Sequence, residues 1–117
     1  MISIEAVVRP ERVNQVTAAL EAVGCRGFYY YNVTGQGRQR GVEVFVGRSG
    51  QMASRSSVPK TVVCTVVSDE MREQVVEAII DAARSPGGQE IGDGKIFIYQ
   101  VADVVRVSSG ERGDAAL

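Results

Sequence analysis

Histidine is missing from all 117 residues. Its absence removes the most common general base and the usual neutral metal ligand, so zinc hydrolysis and Ser-His or Cys-His catalysis lack a required member. Cysteine is scarce. Cys25 and Cys64 lie in apolar surroundings without CxxC spacing, which predicts two buried free thiols in a reducing, cytoplasmic setting. An excess of charge of either sign is lacking too. Thirteen Lys and Arg against fourteen Asp and Glu leave a net charge of −1. No broad basic face is available to neutralise nucleic-acid phosphates, so any anion site must be local. No run approaches the roughly 18 apolar residues of a membrane span, and the stretch MISIEAVVRPER lacks the basic-then-apolar order of a signal peptide. The expected protein is neither exported nor inserted in a membrane.

What is present suffices for one domain, 1–117, with one core. Apolar residues at 44% and charged residues at 23% sit near the averages of soluble globular chains. Ile2 to Val8 alternates as a strand and ends at Arg9-Pro10. Pro10 suits a first helical turn; Val13, Val16, Leu20 and Val23 recur at helical spacing until Gly24 stops them. Phe28 to Thr34, rich in aromatic and β-branched residues, predicts a second strand. From Gly35 to Pro59 glycine and serine interrupt any period, which predicts a flexible loop of about 25 residues, far beyond an ordinary connection. Thr61 to Val67 reads as a central strand, and Ser68 and Asp69 offer helix-start chemistry. Met71, Val75, Ile79 and Ile80 form a second helical stripe, ended near Arg84 by Ser85-Pro86-Gly87-Gly88. Lys95–Tyr99 and Val104–Val107 predict two further short strands, before a polar tail over 108–117.

The order is β-α-β, long loop, β-α-β, then a short extra strand. Two βαβ units in so small a chain predict an α+β, ferredoxin-like split βαβ fold: one antiparallel sheet with both helices on one face. The other face is left uncovered, with Tyr29 or Tyr31 on it by alternation, and self-association is the cheapest way to bury it.

Two glycine segments carry the chemistry. Gly35-Gln36-Gly37-Arg38-Gln39-Arg40-Gly41 follows a strand, so its backbone N–H groups can wrap an anion while Arg38 and Arg40 add charge; a flexible hinge is the plainer reading. Ile91-Gly92-Asp93-Gly94-Lys95 leads into a strand with a lysine at the junction, which suits phosphate, though it also reads as a plain DG turn. Arg106, taken alone, is a solvated surface residue or a third phosphate ligand.

Together these stretches resemble the nitrogen regulatory PII signal-transduction proteins from end to end. The matching residues are Val7-Val8-Arg9-Pro10, Gly35-x-Gly37-Arg38-Gln39-x-Gly41, Pro59-Lys60, Val75 to Ile80, Gly92-Asp93-Gly94-Lys95-Ile96-Phe97, and the tail from Gly110-Glu111 to Ala115-Ala116-Leu117. The resemblance implies a homotrimer that holds ATP or ADP in clefts between neighbouring subunits. It implies that Gly35, Gly37, Arg38 and Gln39 begin the loop side of the site, and that Gly92, Asp93, Gly94 and Lys95, in a phosphate-binding turn over 85–95, hold phosphates. Val66 falls where the family's central strand meets adenine, and Arg106 adds a charge from the neighbouring subunit. Gln39 is implied to help hold Mg²⁺ and 2-oxoglutarate, with Lys60 salt-bridging the keto acid; no resident metal or cofactor is implied. The loop over 35–59, with Arg48 and Arg55 as its exposed cations, is implied to regulate a partner: an ammonium channel, a metabolic enzyme or a transcription regulator.

The chain departs from the family pattern at four places. Ser108 stands where a second arginine usually follows Arg106, which removes a phosphate contact of about 1.5–3 kcal/mol and favours ADP or AMP over ATP. No tyrosine lies between Arg38 and Pro59 and Gln51 sits about where one belongs, so regulation by nucleotidylation is not expected. The loop is slightly longer and serine-rich. Ser85 to Glu90 lengthens the turn before Gly92, and Tyr29 replaces a small polar residue near the adenine. These departures keep a second reading open: a sensor of ADP or AMP with another small anion such as bicarbonate, outside nitrogen control. A small phosphohydrolase of the same fold is a third reading, opposed by the lack of a positioned base; the expectation is a binding protein and not an enzyme.

Overall fold

The computed structural model describes residues 1–36, 42–46, 51–55, 57–88 and 90–117. Strand β1 (Ile2–Val8) is followed by a 3₁₀ turn at Pro10–Arg12 and helix α1 (Val13–Ala22). Strand β2 (Phe28–Gly35) and a ribbon of β3 (Val42–Val46) and β4 (Gln51–Arg55) come next. Strand β5 (Val58–Val67), a 3₁₀ turn at Asp69–Met71, helix α2 (Arg72–Ala83) and strand β6 (Gly94–Gln100) complete the core elements.

Four strands form one sheet in the order β2-β5-β1-β6, every neighbouring pair antiparallel. This places β1 and β2 parallel across β5, and β5 and β6 parallel across β1, which is the split βαβ arrangement expected. Period-2 alternation along β1 buries Ile2, Ile4, Ala6 and Val8. They pack with Val63 and Val67 of β5, Val16 and Leu20 of α1, and Val75, Ile79 and Ala83 of α2. Both helices therefore cover one face.

The stop after α1 is the one that Gly24 predicts. Gly24 takes φ +86°, its N–H reaches the Glu21 carbonyl at 3.0 Å and the Cys25 N–H reaches that of Leu20 at 2.9 Å, the paired bonds of a Schellman motif. At the end of α2, Arg12 forks onto the Ala82 carbonyl, with Nε at 3.0 Å and Nη2 at 2.8 Å, which satisfies an orphan acceptor and opposes the helix dipole. Ser68 makes no side-chain cap; the Met71 N–H bonds its carbonyl instead.

Three segments differ from expectation. The region over 35–59 includes the β3–β4 ribbon, in which Val42 lies opposite Arg55 and Val46 opposite Gln51; the alternating Val42-Glu43-Val44-Phe45-Val46 carries strand propensity amid the glycines. β5 begins at Val58, three residues before Thr61, and passes through Pro59. Its pairing with β1 ends at Val8 and Thr61, so Pro59 has a ladder on only one flank, where a missing N–H is tolerated. Val104–Val107 is not a strand: Val105 makes an isolated bridge to Arg112. There the chain folds back on itself, with the Arg106 N–H on the Glu111 carbonyl at 2.9 Å, the Gly113 N–H on that of Val104 at 3.0 Å, and Val107 99% exposed. With no sheet to bury them, a β-branched run of four does not extend one.

The uncovered face of the sheet is aromatic. Tyr29 (63% exposed), Tyr31 (47%), Phe97 (42%) and Tyr99 (50%) lie on it in register with Cys64, Val62, Glu5 and Ser3. Both cysteines are free and buried, as expected. Burial pushes the Cys64 thiol up, against hydrogen bonds with Tyr29 and Tyr31, which makes it a poor nucleophile.

Candidate functional site

β1 ends where β5 and β6 begin, and a cleft of ≈630 Å³ opens there. Val7, Val33 and Phe97 give it apolar walls; Gly35, Gln36, Val58 and Lys60 line one side, and residues 90–95 form the other. The strand register builds this juxtaposition: Val8 pairs with Gly94 and Val7 with Lys95 across β1 and β6, while Val33 pairs with Lys60 across β2 and β5.

Gly94 fits because it has no side chain. Its φ is +134°, and an added Cβ would stand 2.2 Å from the Val7 carbonyl oxygen. Gly92, at φ +97°, makes the preceding bend. The Lys60 ammonium donates to the Gly92 carbonyl at 2.6 Å. Burial lowers the Lys60 pKa and the nearby Arg9 guanidinium adds to the effect.

The Asp93 side chain lies within the turn. Its Oδ1 accepts from Arg9 Nε at 3.2 Å and from the Ser85 hydroxyl, and its Oδ2 accepts from the Glu90 N–H at 3.0 Å. Burial alone would raise its pKa, but the Ser85, Glu90 and Arg9 hydrogen bonds outweigh that and hold the carboxyl well below the ordinary carboxylate range. A depressed folded pKa contributes stability that is present above the unfolded value, about 3.9, and lost as pH falls through the folded one. Urea unfolding from pH 7 to 3 is expected to show the wild type losing stability below about pH 4, and Asp93→Asn to be less stable at pH 7 with a flatter acid limb. A parallel acid limb in the two proteins would contradict this.

Of the residues singled out by sequence, the structure brings together Gly35, Lys60, Gly92, Asp93, Gly94 and Lys95. Val66 lies farther along β5, opposite Ser3, and does not line the cleft. Arg106 is exposed in the segment after β6, with Nη2 on the Leu117 carbonyl at 3.2 Å, and is not brought to the cleft. Gly37, Arg38, Gln39 and Arg48 lie outside the described residues, and Arg55 is described only as backbone in β4. Sequence reading missed Val7, Val33 and Phe97 as walls and the contacts of the Arg9 and Ser85 side chains with Asp93; pairing register is the signal that places the first three. Among the described residues no group of His, Cys, Asp and Glu is arranged to hold a metal ion, and no helix is long and apolar enough to cross a membrane.

The sheet order and the glycine-turned, lysine-lined cleft define an α+β split βαβ domain of ferredoxin-like type. Comparison with known proteins narrows this. The family described as Nitrogen regulatory protein P-II matches residues 1–111. Nitrogen regulatory protein P-II 2 of Methanothermobacter thermautotrophicus is 43% identical over 118 aligned positions, covering 100% of this chain and 97% of that protein. Nitrogen regulatory protein P-II of Cereibacter sphaeroides is 38% identical, covering 100% of both. The crystal structure of Arabidopsis thaliana PII bound to citrate superposes with a TM-score of 0.76 at 38% identity, covering 99% of this chain and 91% of that one. The chain belongs to the nitrogen regulatory P-II family of signal-transduction proteins, and is a regulatory protein, not an enzyme.

Proposed function

We propose that the chain is a homotrimeric sensor that binds ATP or ADP in the cleft at residues 90–95 and reports it to a partner protein through the segment over 35–59. The observation that carries this reading is the meeting of Lys60 and Lys95 around the Gly92–Gly94 turn in one cleft with apolar walls. Lysines and turn N–H groups suit phosphates, and Val7, Val33 and Phe97 offer apolar contact to a base or ribose. Arg106 is assigned to the cleft of a neighbouring subunit, and Val66 and Tyr29 to its adenine end.

The aromatic sheet face supports the trimer, since a patch of that kind is costly to leave in water. Light scattering at micromolar concentration is expected to give about three times the chain mass of 12.6 kDa; a monodisperse monomer would sink the intersubunit site.

Lys60 also suits a small carboxylate. Lys60 would meet the 2-oxoglutarate carboxylate, and Gln39 would help hold Mg²⁺, which would supply positive charge to offset that of ATP and the keto acid. Arabidopsis thaliana PII was solved bound to citrate, which supports a small carboxylate as a ligand here. Ser108 in place of a second arginine predicts that ADP binds at least as tightly as ATP when the keto acid is absent. Calorimetric titration with each nucleotide, with and without Mg²⁺ and 2-oxoglutarate, tests this. A tenfold preference for MgATP alone would refute the charge argument. Indifference to 2-oxoglutarate together with a response to bicarbonate would favour a sensor outside nitrogen control.

A further inference from the structure

The turn over 90–94 is tied to three separate elements. Arg9, just past β1, reaches Asp93 Oδ1 with Nε at 3.2 Å and the Ile91 carbonyl with Nη2 at 2.9 Å. Its Nη2 also stands 3.9 Å from the Glu90 carboxylate. Ser85, just past α2, donates its hydroxyl to the same Oδ1. Lys60 of β5 holds the Gly92 carbonyl. The Arg9 and Asp93 side chains are only 18% and 16% exposed, so these are charge-assisted bonds largely withdrawn from water. Both Asp93 oxygens are taken by the turn and its supports, so this carboxylate is committed inward.

The segment needs such ties. Gly87, Gly88, Gly92 and Gly94 all hold positive φ, and a chain so rich in glycine has many other conformations available. A turn that binds an anion through backbone N–H groups binds it best when those groups are already in place, because ordering them on binding would subtract from affinity.

We infer that Arg9 and Ser85 are positioning residues that act through Asp93, fixing the phosphate turn before a ligand arrives and touching no phosphate themselves. The inference rests on the reading that this turn receives the phosphates of a nucleotide.

The test uses the full-length protein as wild type, Ser85→Ala, Ser85→Thr, Arg9→Met and Lys95→Ala. Hydrogen exchange of the amides of residues 90–95 is followed without ligand, and ADP affinity is measured by calorimetry. Ser85→Ala and Arg9→Met are expected to speed turn exchange and weaken ADP each about tenfold. Ser85→Thr is expected to restore both. Lys95→Ala is expected to weaken ADP with turn exchange unchanged. Unchanged exchange in Ser85→Ala and Arg9→Met overturns the clamp whatever ADP does. Faster exchange with unchanged ADP affinity overturns the link from turn to phosphate. A wild type that binds no ADP, with exchange still faster in the variants, overturns the nucleotide reading and leaves the clamp as a structural device.

Discussion

Gly94→Ala is expected to be the most damaging single substitution at the cleft. The methyl group would sit 2.2 Å from the Val7 carbonyl oxygen and within 3.3 Å of Val8 Cα. Both obstacles are backbone of β1, whose neighbours Ala6 and Val8 are buried in the core, so neither can swing aside as a flexible side chain would. The φ of +134° adds its own strain for any residue with a Cβ. Clash and strain together are expected to cost about 3–5 kcal/mol, a large share of the 5–15 kcal/mol by which domains are usually stable. In thermal unfolding this is a fall of roughly 10–20 °C. Gly27→Ala is the control: no atom lies within 4 Å of the added Cβ and the backbone is ordinary there, so its effect is expected to stay within about 0.5 kcal/mol. Equal melting points for the two variants would show that the β1–β6 junction yields more easily than its geometry implies.

Removing Lys95 or Arg106 is expected to act on binding and not on folding. Both side chains are exposed, and truncating such residues usually changes stability little. Each is assigned a charge-assisted phosphate contact, Lys95 at the rim of its own cleft and Arg106 in that of a neighbour. Losing one such contact is expected to weaken ADP or ATP about tenfold or more, with the oligomeric state unchanged. Arg106→Ala also gives up the bond to the Leu117 carbonyl, which is exposed and worth little. Calorimetric affinity unchanged in both variants would show that the phosphates lie elsewhere.

Much of the fold was legible because its signals are local. The alternation of β1, the stripes of α1 and α2 and the stop at Gly24 each depend on a few neighbouring residues, and each appears where its pattern puts it. Val104–Val107 misled because strand propensity states only that a segment fits a pleated surface; it is silent on whether a sheet edge is near. Val58 and Pro59 join β5 because β2 extends alongside as far as Gly35, a pairing that no local feature of Pro59 announces. At the cleft, Gly92, Gly94 and Lys95 were legible as a turn before a strand with a cation at the junction. Asp93 was not, since a DG turn reads the same whether its carboxylate faces a ligand or its own loop. Arg9 lies 84 residues from Asp93 in the chain, and only the register of β1 against β6 brings the two together.

Crystallisation with ADP is the most direct test of the central claim, that residues 90–95 form the phosphate half of an intersubunit nucleotide site. The account predicts a threefold assembly with the ADP phosphates on the N–H groups of the Gly92–Gly94 turn, Lys95 in contact with them and Arg106 of a neighbouring subunit completing the site. A nucleotide bound away from this turn, or an assembly in which Arg106 meets no nucleotide, would contradict it.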